Sequence, residues 1–252
     1  MDSNRMVAGV GCSAGARGLT MAVLTSRLEV QSLRSLAVEA AAEELSAGGD
    51  ICVAIAGPLR PHAASGGAER AGKGASARPA EAEIRGHKIP IRAAPETEAD
   101  APAAMRTMFS LARELTKRGF REGESERESP RFLMETNAAA CAAVLLGRLP
   151  FGRATLEGRI QRQLLLVRER VALPDPMDSL EELTAHHLLS GRLPLRGILG
   201  PDELDALLAA FTAWRAFSRP ETVAWFGRES EDCICLPVKE LLEKYLKSDY
   251  FQ

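Results

Sequence analysis

Neither a surplus of one charge nor a long apolar run marks this chain. Its 252 residues carry 32 Lys and Arg against 34 Asp and Glu, a net charge of −2. No global field therefore draws a polyanion or an acidic membrane surface, and any nucleic-acid contact must come from a local patch. No uninterrupted apolar segment approaches the roughly 18 residues a membrane helix needs, and Met1 to Val10 lacks the basic start and apolar stretch of an export signal. The expectation is a protein without a membrane partner, in the cytoplasm. Cysteine is sparse: the five residues Cys12, Cys52, Cys141, Cys233 and Cys235 are odd in number and mostly sit in apolar runs, which fits buried reduced thiols better than a disulfide framework.

Several catalytic signatures are missing as well. Gly9-Val10-Gly11-Cys12-Ser13-Ala14-Gly15 looks like a nucleotide-binding glycine loop. However, Leu19 to Leu24 reads as strand where a dinucleotide site needs a helix, and no Gly-Lys-Ser/Thr ending makes a P-loop. No Ser or Cys comes with a recognisable base and oxyanion motif. His186 and His187 are adjacent and point different ways on a helix, so they do not form an i, i+4 ligand pair. Cys233-x-Cys235 lacks the second Cys or His pair of a structural zinc site.

What is present is an ordered alternation of elements. Met6 to Val10, Leu19 to Leu24 and Val30 to Leu36 read as three strands with short links, an antiparallel meander. Val38 to Leu45 follows as a helix ended by Gly48-Gly49, and Ile51 to Ile55 is an apolar strand of the kind covered on both sheet faces. The opening order is βββαβ. Pro61 to Pro102 has few large apolar side chains and reads as a mobile loop, with a hint of strand at Ile84 to Ile91. Met105 to Leu115 has helical spacing, Arg121 to Pro130 reads as a charged linker, and Arg131 to Thr136 as a strand. Helices are expected at Ala138 to Leu146, Leu156 to Val171, Leu180 to Leu189 and Pro201 to Phe217. A β pair (Thr222 to Phe226, Cys233 to Leu236) and a helix Val238 to Leu246 close the chain, giving one domain over residues 1–252.

Two carboxylates stand out. Glu135 ends a strand, where a charge is either at the solvent edge or held at a site. Asp205 lies on a helix whose apolar stripe is Leu204, Leu207, Leu208, Phe211 and Trp214; its own face carries only Ala206, Ala209 and Thr212. Small residues let a helix lie close to a sheet, so Asp205 is either a site residue aimed at strand ends or an ordinary first-turn acid. Between Arg148 and Arg170 six Arg face two Glu. With Leu156, Ile160, Leu164 and Val167 as the buried stripe, Arg153, Arg159 and Arg162 would face outward, as a solvated surface or a sequence-independent phosphate contact.

The run Phe132-Leu133-Met134-Glu135-Thr136-Asn137-Ala138-Ala139-Ala140, the helix start Thr155-Leu156-Glu157-Gly158-Arg159-Ile160-Gln161-Arg162-Gln163-Leu164, and the stretches Val7 to Leu24, Asp50 to Pro61 and Asp202 to Trp214 together carry a resemblance. The chain resembles the predicted RNase H-like nucleases catalogued as domain of unknown function 429. That resemblance implies an α/β mixed sheet flanked by helices, with a helix-rich C-terminal half and an acidic Mg²⁺ or Mn²⁺ site at the strand ends. Paired ions there, roughly 3.5–4 Å apart, would activate water and stabilise the leaving oxygen of a phosphodiester. Glu135 and Asp205 match two of the implied catalytic and metal-binding acids; the other two fall on Gly11 and Ala56. The implication is a degraded metal site with little or no phosphodiesterase activity. Two alternatives stay open: an active nuclease with replacement acids from Asp50, Asp100 or Asp202, and a non-catalytic module in which Glu135 and Asp205 pair with Arg.

Overall fold

A computed structural model describes residues 6–11, 18–62, 77–181, 183–193, 195–227 and 233–247. Cys12, the rest of the glycine loop through Gly15, and residues 63–76 of the long loop lie outside the described residues. The strands are β1 (Met6–Gly11), β2 (Leu19–Leu24), β3 (Val30–Leu36), β4 (Ile51–Ile55), β5 (Arg121–Glu122), β6 (Arg131–Glu135), β7 (Ala224–Phe226) and β8 (Ile234–Leu236). They form one mixed sheet in the order β3-β2-β1-β4-β6-β8-β7, with β5 beside β6. β1, β2 and β3 make the antiparallel meander, whereas β4 and β6 continue parallel to β1.

Helices cover both faces: α1 (Val38–Ala47), α2 (Pro79–Gly86), α3 (Ala103–Lys117), α4 (Ala138–Leu146), α5 (Leu156–Arg168), α6 (Pro176–Glu181), α7 (Ala185–Leu189) and α8 (Pro201–Ser218). Two apolar cores result, one on each side of the sheet. Val7, Cys52, Ala54, Phe132 and Met134 pack in the first with α4 and α8, and Ala8, Val10, Val53, Ile55 and Leu133 in the second with α1 and α3. The period-2 alternation of β1, β4 and β6 assigns these residues to opposite faces, so every central strand is apolar on both sides.

α8 lies unusually close to β1. A Cβ on Gly9 would sit 2.0 Å from Ala210 N and 2.1 Å from Ala206 O, so only glycine fits beneath the helix. The expected stripe from Leu204 to Trp214 is buried, and so are Ala206, Ala209, Ala210 and Ala213. The sheet covers one side of α8 while α4 and α5 cover the other.

Several expected elements differ. Residues 79–86 form α2, so the hint of strand at Ile84 to Ile91 is replaced by helix followed by extended chain, with Ile84, Ile89 and Ile91 buried. The run from Arg121 to Pro130 contains β5 and a 3₁₀ turn at Glu124–Glu126. Leu180 to Leu189 is divided between α6 and α7. Val238 to Leu246 forms no helix: Tyr245 N donates to His87 O at 2.9 Å and Leu149 N to Leu246 O at 3.0 Å, and buried Tyr245 anchors the extended segment.

No helix of the described residues is long and apolar enough to cross a membrane.

Candidate functional site: two separated carboxylates

β1, β4 and β6 run parallel, so their carboxyl ends meet on one side of the sheet. Ala56 N donates to Val10 O at 2.8 Å, and Thr136 N to Ile55 O at 2.9 Å, which places Gly11, Ala56 and Glu135 along that border. α8 runs antiparallel to β1. Trp214 Nε1 donates to Ser26 O at 2.9 Å, just past the end of β2 that pairs with Val7, whereas Ala206 and Ala210 meet Gly9. Asp205 therefore lies toward the Gly11 end, as the small residues of its helix suggested.

The faces separate the acids. Glu135 pairs in register with Ile55 and follows the alternation of Leu133, which directs it to the α1–α3 side. Gly11 alternates with Val7 and Gly9, and Ala56 packs with the other core; both belong to the α8 side with Asp205. On that side β6 presents Met134 and then Thr136, whose Oγ1 lies 3.1 Å from Cys141 Sγ and donates to Cys235 O at 2.7 Å. Cys141 Sγ in turn lies 3.3 Å from Thr212 Oγ1 on α8. Burial pushes the thiols of Cys141 and Cys235 up. Cys52, Cys141 and Cys235 are buried, as expected; Cys233 is half-buried.

Glu135 is 3 % exposed and its counter-ion is Arg78, 1 % exposed. Arg78 Nη1 donates to Glu135 Oε2 at 2.9 Å and Nη2 to Oε1 at 2.5 Å, while Leu59 N reaches Oε2 at 3.3 Å. Arg78 Nε also donates to Glu81 Oε1 at 2.9 Å. Burial alone would lower the Arg78 pKa, but the adjacent Glu135 and Glu81 hold the guanidinium above its ordinary range. A cleft of about 430 Å³ beside this pair is lined by Thr116, Phe120, Trp225 and Cys233 and bordered by the Arg60–Glu122 ion pair.

Asp205 has a different partner. Arg153 Nε donates to its Oδ2 at 2.6 Å and the same guanidinium grips Asp202. Burial raises the Asp205 carboxyl above the usual range, against the pull of Arg153 and Arg162.

The expected outward arginine face is corrected. Arg162 is 3 % exposed, with Nη1 donating to Phe151 O and Gly158 O at 3.0 and 2.9 Å. Its Nε has no hydrogen-bond partner among the described residues, and burial lowers its pKa despite Asp205 nearby. Arg159 donates to Leu199 O and Ile198 O, and Arg153 holds the two acids. The buried face of α5 is Gly158, Arg162, Gln163, Leu165 and Leu166, while Leu156, Ile160, Leu164 and Val167 are half-buried. This polar face serves the loops. Gln163 Nε2 donates to Pro174 O and Gly197 O, and its Oε1 accepts from Leu199 N. Gly158 lets Gly152 O approach, since a Cβ would lie 1.9 Å from that oxygen.

The donor set does not fit a divalent-ion pair. Glu135 and Asp205 sit on opposite faces, each held by an arginine, and Mg²⁺ needs several convergent oxygens. Asp202 shares Arg153; Asp50 is at the amino end of β4, far from the site border; Asp100 accepts from Thr97 in a local turn at 2.6 Å. Among the described residues no group of three or more His, Cys, Asp or Glu side chains converges on a common ion position. Sequence reasoning missed Arg78, Glu81 and Gln163; the only signal was the Arg-Pro-Ala-Glu start of a helix, in which Glu81 caps the Arg78 backbone N–H at 3.1 Å.

Comparison with protein-family models, curated proteins and solved structures finds no match to this chain.

Proposed function

We propose that this chain is a non-catalytic RNase H-like module, similar to the predicted nucleases of domain of unknown function 429 but with its acidic metal site degraded to arginine–carboxylate pairs. The βββαβ opening and the strand order support the fold reading. One observation carries the functional one: the two remaining acids, Glu135 and Asp205, are paired separately, Glu135 with Arg78 and Asp205 with Arg153. Arg78 engages both Glu135 oxygens and Arg153 one oxygen of Asp205 and one of Asp202, and a guanidinium cannot activate water as a metal ion does.

The test is incubation of the chain with labelled DNA and RNA oligonucleotides in Mg²⁺ and in Mn²⁺. The expected result is no turnover above buffer. Turnover that disappears in both Glu135→Ala and Asp205→Ala would overturn the proposal.

A further inference from the structure

β3 is one of the two edge strands of the sheet and, at seven residues, the longest strand among the described residues. Among the described residues, 31–36 make no backbone hydrogen bond other than those of the β2 ladder, so a row of N–H and C=O groups faces outward. Proteins usually blunt such an edge with a charge, a proline or a cover. Here there is no proline, and the single charged side chain, Arg34, leans back toward α1, where it pairs with Glu44. Among the described residues, backbone pairing beyond β2 is confined to the amino end, where Glu29 bridges Ala172.

We infer that β3 pairs antiparallel with β3 of a second copy of this chain, about a two-fold axis at Leu33, to give one sheet continuous across a dimer. Antiparallel pairing of a strand with itself is isologous, so its register is fixed by one central residue. Centring on Leu33 is the register that uses the whole strand. It sets Val30 opposite Leu36, Gln31 opposite Ser35, Ser32 opposite Arg34, and Leu33 opposite itself. No like charges meet, whereas centring one residue later would oppose Arg34 with Arg34. The limits of the edge agree with the same centre: Glu29, where the Ala172 bridge begins, falls opposite Ala37, where β3 gives way to α1. A cleft of about 310 Å³ lined by Val23, Ser32, Arg34 and Glu44 flanks the strand on the α1 side, beside the positions that the second copy's Ser32 and Arg34 would take.

Sedimentation equilibrium of the full chain over a wide concentration range tests this, with two substitutions at one half-buried edge position, Ser32. Ser32→Arg sets two arginine pairs across the axis and should raise the dimer Kd about tenfold; Ser32→Glu sets two opposite-charge pairs and should lower it. Amide exchange in the unaltered chain should slow at residues 31–36 as concentration rises, a readout independent of either variant folding. A chain that stays monomeric into the millimolar range overturns the inference, as does a dimer whose Kd fails to move in opposite directions in the two variants.

Discussion

Arg78 and Glu135 form a two-pronged buried ion pair, Nη1 to Oε2 at 2.9 Å and Nη2 to Oε1 at 2.5 Å, that ties the start of α2 to the end of β6 across 57 positions of sequence. The pair sits where the parallel strands end, so the same contact that neutralises the carboxylate also fastens the chain after residue 77 to the sheet. Glu81 shares the guanidinium and accepts from Ala94 N at 2.8 Å, extending the tie to the far side of the α2 segment.

Arg78→Ala should therefore destabilise the fold by about 3–5 kcal/mol, because it leaves Glu135 and Glu81 buried without their cation. Arg78→Lys should recover little of this, since a point charge cannot bridge both carboxylates as a planar fork does. Urea unfolding of the three proteins measures the difference. A loss under about 1 kcal/mol for Arg78→Ala would show the pair to be dispensable.

Gly9→Ala should be among the most damaging single substitutions. The added methyl meets backbone atoms of α8 at 2.0 and 2.1 Å, and helix backbone cannot step aside as a flexible side chain can. Overpacking of this kind costs about 3 kcal/mol or more. The thermal midpoint reads it directly.

Gln163 is a third point of leverage. Its amide joins three loop positions, Pro174, Gly197 and Leu199, and it is fully buried. Gln163→Leu keeps the volume but strands two carbonyls and one N–H, at about 1–3 kcal/mol for each unpaired group. Amide exchange at Leu199 should accelerate while exchange in β1 and β4 stays slow.

Asp205 has a pH signature. Its carboxyl is raised by burial in the folded chain, so the folded state holds its proton at pH values where the unfolded chain has released it. The associated stability is fully present below the unfolded pKa of about 3.9 and is lost as pH rises through the folded value. Relative to Asp205→Asn, the native chain should accordingly lose stability as pH climbs from about 4 toward neutrality. A difference that is flat with pH, or that grows, would contradict the burial of this acid.

Much of this arrangement was legible in local pattern. The meander, β4, and the close-lying α8 follow from runs of alternating or small residues, because alternation and helical spacing are set within a few positions. The close approach of α8 to β1 was legible for the same reason: Ala206 and Ala209 are small and both lie against Gly9. The side of the sheet taken by Glu135 was not, since it depends on the register of β6 against Ile55. The partner Arg78 lay in a segment too poor in large apolar residues to suggest order, yet one buried ionic tie and Ile84, Ile89 and Ile91 hold it. The arginines of α5 misled because charge was read as exposure, whereas a guanidinium can be buried when loop carbonyls accept its protons.

The separation of faces makes a final prediction that distinguishes geometry from alignment. Gly11, Ala56 and Asp205 share the α8 side, and Arg153 is the cation now serving Asp205. A variant with Gly11→Asp, Ala56→Asp and Arg153→Ala would gather three carboxylates there, repelling one another in the absence of a cation. Adding Mn²⁺ should relieve that repulsion and raise the melting midpoint by about 5–10 °C at a hundredfold excess over Kd. Introducing Glu135→Ala into this background should leave the Mn²⁺-dependent rise unchanged, because Glu135 points to the other face and keeps to Arg78. If the rise instead vanished with Glu135, all four positions would share one ion site and the facial assignment of β6 would be wrong.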